Sequence, residues 1–265
     1  MSYLSRALTC ALACTAAGFG LSAPVLAQSD GLFSVSDKKA EITFADIGAA
    51  VLYRPEYLGS EDTRADIIPY VDAEYKGRFY IKPALGAGIH LINNETLRVS
   101  AGAGYLFGRD AEESARLTDL GLGDIDSAIT ANVAARLITP YGVIDAISRT
   151  PISGDAEGTQ LELAAITQLD PTNNLRINPG LRVTLMSEDM INQRYSGPVP
   201  GGVLQYDSGG VQSFSAFTAG YFQLSDDWQI FGLIDYSVLT GDVTDSPVVE
   251  NDGGLTGAIA LIRKF

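Results

Sequence analysis

The chain has 265 residues, with 18 lysines and arginines against 32 aspartates and glutamates, one histidine and a formal charge of −14. So acidic a balance makes nucleic acid a poor partner, because its phosphate backbone is bound by clustered cations. Hydrophobic residues make up 46% of the chain, alongside 28 glycines and 12 tyrosines, yet beyond residue 27 no apolar run reaches the roughly 20 residues that a membrane-spanning helix needs.

Residues 1–27 read as a secretory signal peptide: a polar start with Arg6, an apolar stretch from Ala7 to Leu21, and Ala23-Pro24-Val25-Leu26-Ala27, with cleavage after Ala27. Cys10 and Cys14 interrupt that apolar stretch rather than end it, so the sequence predicts no lipid anchor, disulfide or thiolate metal site in the mature protein. Cleavage takes the 18 basic residues to 17 against 32 acidic ones, a formal charge of −15. Residues 28–43 are left as an N-terminal periplasmic segment.

From Phe44 onward, apolar residues alternate with period two, which puts every second side chain on one face of a strand. The segments are Phe44 to Arg54, Ile67 to Lys76, Arg78 to Leu91, Leu97 to Phe107, Asp124 to Leu137, Tyr141 to Arg149, Thr159 to Leu169, Leu175 to Leu185, Val211 to Leu224, Trp228 to Leu239 and Leu255 to Phe265. In the eighth, Ile177, Leu181, Val183 and Leu185 alternate with Asn178, Gly180, Arg182 and Thr184, one face apolar and the other polar. Such lengths suit tilted membrane strands of roughly 9–11 residues, and bacterial single-chain barrels have even strand numbers. The missing strand is placed in Arg78 to Leu91, where Pro83, Gly86 and Gly88 favour a turn that splits the segment. Pro69 and Pro179 fall inside strand readings and are expected at a bulge or strand end.

Connections alternate in length. Lys76-Gly77, Thr139-Pro140, Asp170 to Asn173 and Ser225 to Asp227 are short; Pro55 to Asp66, Gly108 to Gly123, Thr150 to Gly158, Met186 to Gly210 and Thr240 to Gly254 are long and acidic. Short periplasmic turns and long external loops mark an outer-membrane barrel. Tyr53, Tyr57, Tyr70, Tyr75, Tyr80, Tyr105, Tyr141, Tyr221 and Trp228 are assigned to aromatic girdles. The terminal Phe265 closes the last segment as in clients of barrel-insertion machinery, although Arg263 departs from the usual apolar residue two before the end. The fold expected is thus all-β: a transmembrane antiparallel up-and-down β-barrel of about 12 strands over residues 44–265, in the Gram-negative outer membrane.

Catalytic groups are scarce, with His90 the lone histidine, and no catalytic, cofactor or metal site is assigned. His90, Arg98, Arg136, Glu162, Arg176 and Arg182 are expected to line a polar lumen, whose opposed charges either plug it or line a selective pore. Asp124 and Asp126 either hold a cation or form a loop corner by accepting backbone hydrogen bonds. Arg54, Glu56, Tyr57, Ser60, Glu61 and Asp62 combine charge, an aromatic ring and a flexible Gly59 in one loop, which reads either as a binding surface or as a packed external loop.

Several stretches carry a family resemblance: Gly48 to Tyr53 leading into Arg54-Pro55-Glu56-Tyr57-Leu58-Gly59-Ser60-Glu61-Asp62, then Gly121-Leu122-Gly123-Asp124-Ile125-Asp126, then Thr244-Asp245-Ser246-Pro247-Val248-Val249, and the terminal Lys264-Phe265. In order and spacing these resemble the MltA-interacting protein (MipA) and outer-membrane protein V family. The resemblance implies an outer-membrane barrel, and the family's name a scaffold that holds a murein-cleaving lytic transglycosylase near a murein synthase; the scarce catalytic groups read as non-enzymatic, and outer-membrane lipid and lipopolysaccharide, bridged to the acidic loops by divalent cations or left to solvated charge, are the other expected partners. A small-solute channel is the alternative, and a barrel hydrolase is a third reading.

Overall fold

The computed structural model describes residues 43–112 and 114–265. The expected signal peptide and, but for Thr43, the periplasmic segment lie outside the described residues. In chain order the strands are β1 (Phe44–Pro55), β2 (Thr63–Tyr75), β3 (Phe79–Lys82), β4 (Gly86–Asn93), β5 (Leu97–Leu106), β6 (Ala128–Thr139), β7 (Gly142–Pro151), β8 (Gln160–Ile166), β9 (Leu169–Thr172), β10 (Leu175–Met186), β11 (Gly197–Val199), β12 (Gly202–Leu204), β13 (Gly210–Gln223), β14 (Trp228–Leu239) and β15 (Gly253–Lys264). Two short helices, α1 (Ala115–Asp119) and α2 (Glu188–Tyr195), lie in the long loops.

Each wall strand pairs antiparallel with the next, β10 pairs with β13, and β15 returns to β1 through registers such as Ala50↔Ala260. The sheet therefore closes on itself, and β9 continues the line of β8 along β10. The wall has twelve strands, and β11 and β12 form a separate hairpin. Val51, Val133, Leu181, Ile234 and Ile259 project outward and are exposed, whereas their neighbours Leu52, Asn132, Arg182, Asp235 and Ala260 are buried inside. An apolar belt around the whole wall is unfavourable in water and matched to bilayer hydrocarbon. The short turns and the two described chain ends share one end of the barrel; the long loops cap the other.

The split at Pro83 occurs where the sequence placed it, but the resulting hairpin is low. β2 pairs with β3 only over Ala73–Tyr75, and β4 pairs with β5 only up to Ala87↔Ala103. Above that level Thr63–Asp72 of β2 and Gly104–Leu106 of β5 have no strand between them. The hairpin tip bends into the lumen, where Ala84 and Leu85 are buried; Asn132 Nδ2 donates to the Leu85 carbonyl at 3.0 Å and Arg149 Nη2 to that of Ala84 at 3.3 Å. Glycine makes this possible: Gly86 has φ +71°, and a Cβ there would lie 2.1 Å from the Ala103 carbonyl oxygen.

Both strand prolines sit at local edges of the closed wall. Pro69 lies in the part of β2 that has β1 as its partner strand, and Pro179 opposes the break between β8 and β9 at Thr167–Gln168. A missing donor there has one ladder fewer to interrupt. The expected segment Thr159 to Leu169 is thus broken, and Asp124 to Leu137 begins only at Ala128, because Ile125 bridges to Arg109 in the loop.

Two expectations are corrected. The lumen is not uniformly polar: Leu52, Ile68, Tyr70, Ile147, Ile166, Phe217, Phe231, Leu233 and Ile262 form one inward cluster from strands all around the wall. A barrel this narrow has to be filled, and apolar side chains fill its waist without needing hydrogen-bond partners. The aromatic girdle is smaller than expected, since Tyr70 and Tyr80 are buried inside and Tyr221 leans on Phe231 at 5.1 Å between ring centroids. Tyr53, Tyr75, Tyr105, Tyr141 and Trp228 remain on the exposed face.

Candidate functional site

The long loops interlock into a cap over one mouth. The chain leaves β1 at Arg54, 1% exposed, which donates to the carbonyls of Pro55 at 3.0 Å and Glu56 at 2.9 Å and pairs with Asp66 at 3.3 Å. Tyr57 donates to the Val248 carbonyl at 3.0 Å, and Gly59 offers its carbonyl to the amides of Glu250 at 2.7 Å and Asn251 at 3.1 Å. Ser60 is buried, its Oγ accepting the Asp62 amide at 3.1 Å, while Glu61 and Asp62 face solvent. From α1, Arg116 donates to the Pro247 carbonyl at 2.8 and 2.6 Å; from the end of β5, Arg109 donates to the Arg194 carbonyl of α2 at 2.8 Å. Asp124 accepts the Ala111 amide at 2.8 Å, which forms a loop corner.

Of the six loop residues singled out in the sequence, Arg54, Tyr57 and Ser60 are therefore engaged inside the cap. Glu56 lines both cavities beneath it: one of about 90 Å³ at the lumen mouth, and one of about 330 Å³ that runs sideways between Arg64 of β2 and Tyr105 of β5. Burial, with Glu250 nearby, pushes the Tyr57 phenol up to about 12. Burial does the same to Tyr195 of α2.

Inside the barrel, charges meet across neighbouring strands and, for Arg182 of β10 and Asp235 of β14, across the strand between them. Arg136 holds Asp145 through two hydrogen bonds of 2.7 Å, and Arg182 holds Asp235 at 2.6 Å while lying over the Phe217 ring. Arg149 and Glu162 meet at 3.0 Å as an ion pair not aligned as a hydrogen bond, and Gln160 donates to Glu162 at 2.8 Å. Arg98 donates to Asn93 at 2.9 Å, and Arg176, half exposed, reaches Asp170 at 3.3 Å at the short-turn mouth. His90 lies between Ser100 Oγ, 2.8 Å from Nδ1, and Glu74 Oε2, 3.4 Å from Nε2, with its ring stacked on Tyr80. Ser, His and Glu in line suggest a relay. All three are buried, however, and neither mouth cavity is lined by them.

The chain matches the family model described as "MltA-interacting protein MipA" over residues 47–265, which takes in the wall from the fourth residue of β1 onward and the cap. The chain belongs to the MipA family. It is 26% identical over 211 residues to the MltA-interacting protein of Escherichia coli (strain K12), covering 76% of this chain and 82% of that one, with the same figures for that of Shigella flexneri. Among solved structures it aligns with Neisserial surface protein A (TM-score 0.28, 9% identity, 84% of this chain and 95% of that one) and a Pseudomonas aeruginosa FadL homologue (TM-score 0.40, 8% identity, 84% and 89%).

The stretches that carry the MipA resemblance, Arg54 to Asp62, Gly121 to Asp126 and Thr244 to Val249, meet in the cap through the Tyr57–Val248 hydrogen bond and through an apolar cluster in which Tyr57 and Leu122 pack with Val248. Sequence reasoning missed Asp145, Arg149 and Asp235 as the lumen partners. Strand parity could have found Asp145 and Arg149, which share the inward face of β7. It also misses Arg109 and Arg194, because period-two alternation carries no signal for α2 or for the loop after β5.

Proposed function

We propose that this MipA-family barrel is a non-enzymatic scaffold of the outer membrane that tethers a murein-cleaving transglycosylase, and with it a murein synthase. Family membership carries this reading. The packed waist supports it over a solute channel: Tyr70 and Tyr221 both reach Phe231, at 6.0 and 5.1 Å between centroids, leaving the lumen centre occupied. In the usual orientation short turns face the periplasm, so partners would meet the end that carries Tyr141, 89% exposed, Asp170 and Arg176.

The test is crosslinking in intact envelopes with a photoreactive residue at Tyr141 or at Glu61. Murein enzymes recovered by mass spectrometry from position 141 and not from position 61 are the expected result. Repeated recovery of none from the short-turn end would overturn tethering.

A further inference from the structure

At the mouth that carries the short turns, a cavity of about 300 Å³ opens below the apolar waist. This reaches the lower end of the roughly 300–1,000 Å³ typical of small-molecule sites. Its walls hold five side-chain amides: Asn173 and Asn174 from the turn between β9 and β10, Asn178 from β10, Gln223 from the end of β13 and Gln229 from the start of β14. An amide side chain both donates and accepts, so such a set suits a ligand whose own groups do the same. Gln229 is 8% exposed and yet lines the cavity; its Nε2 donates to Asp46 at 3.4 Å, and among the described residues nothing donates to its Oε1. A largely buried acceptor that opens only onto a cavity is satisfied by whatever fills that cavity.

The charges around this cavity balance. Asp170 pairs with Arg176 at 3.3 Å and Asp72 with Lys82 at 3.1 Å, while Asp46 stands directly opposite Lys264 in the β1–β15 register. An ionic ligand would find a counter-charge here only by breaking one of these pairs; a neutral ligand disturbs none. The inner end is aromatic: Tyr70 and Tyr221 line the cavity, and both reach Phe231 of the waist. The cavity is therefore blind, open at the mouth and floored by rings. Polar walls over an aromatic floor match a pyranose, which carries hydroxyls around its rim and C–H groups on its faces, the latter drawn to the negative face of an aromatic ring.

We propose that this vestibule binds the end of a neutral glycan, one sugar lying against Tyr221 while its hydroxyls exchange hydrogen bonds with Gln229 and the asparagines. That the glycan is murein rests on the tethering reading above. The probes are chitotriose, a neutral N-acetylated amino-sugar trimer, cellotriose, neutral without the acetamido groups, and trigalacturonate, which is acidic. Each is titrated into the full barrel in lauryldimethylamine oxide, a detergent with no sugar headgroup to compete, and read by saturation-transfer NMR. Chitotriose is expected to bind about tenfold tighter than trigalacturonate or better, because the acid must displace an existing ion pair. Q229M, which keeps the side chain's length and removes its acceptor, is expected to weaken chitotriose roughly two- to tenfold, the worth of one neutral hydrogen bond. E61Q, at the other mouth, is expected to leave it unchanged.

Binding of neither neutral trimer, tighter binding of trigalacturonate, or an affinity unmoved by Q229M would each overturn the glycan site. Preference for chitotriose over cellotriose supports murein as the source; equal affinity keeps the site and overturns that source, while tethering itself stands or falls on the crosslinking described above. Should Q229M fail to fold, judged by heat-modifiable gel mobility, the wild-type barrel is labelled with chitotriose carrying a photoreactive diazirine. Label confined to residues 170–178 and 221–229 supports the proposal, and label on the cap loops or spread around the outer wall overturns it.

Discussion

At the scale of single residues, the interior is governed by what each buried charge faces. Replacing Arg182 by alanine strands Asp235, 1% exposed, and should destabilise the barrel by about 3–5 kcal/mol, seen as a lower urea midpoint in detergent. The paired change R182M/D235L should recover much of that loss, because no buried charge is left without its partner and Ser215 and Ser237 keep their mutual hydrogen bond. S100A and H90Q test the Ser–His–Glu alignment: both are expected to leave envelope phenotypes intact, and loss of a hydrolytic activity in either would restore the enzyme reading. In the cap, Tyr57 and Tyr195 have phenols raised from 10.0 to about 12. A raised folded value means their stabilising contribution is complete below pH 10 and lost as pH climbs through 12. An alkaline titration followed by phenolate absorbance should show a late phase near pH 12 from these two, with the loops becoming protease-sensitive over the same interval.

At the scale of elements, the β3–β4 hairpin is where local sequence and global closure negotiate. Pro83 and the glycines announce a turn, but nothing in period-two alternation says that the turn bends inward or that it stops short of the rim. That outcome depends on Asn132 and Arg149, two and three strands away from β4, reaching the tip carbonyls. A Cβ on Gly102 would lie 2.5 Å from the Ala87 carbonyl and 2.7 Å from the Tyr80 hydroxyl. G102V should therefore force β4 and Tyr80 away from β5, and hydrogen exchange at residues 79–89 should rise while that of β13–β15 stays unchanged. Unaltered exchange in the hairpin would show that the close approach does not hold it. The prolines follow the same logic: Pro69 and Pro179 look like faults in a closed sheet until the missing neighbours are seen.

At the scale of the whole molecule, a waist filled by Tyr70, Phe217 and Phe231 should leave the wild-type barrel electrically silent in planar bilayers. The triple change Y70A/F217A/F231A should produce steady currents, and a wild-type barrel that conducts steadily would count against the scaffold reading. The sequence by itself determined the wall: alternation is a local property of each strand, the difference between water, hydrocarbon and lumen is written into every second residue, and loop lengths alternate whatever the loops contact. The wall's breaks, the apolar waist, the partners of Asp145 and Asp235, and the meeting of Arg109 with Arg194 were decided only by tertiary structure. Those features join residues far apart in the chain, and which of them meet is set by how a closed sheet brings its inward faces together rather than by any short-range pattern.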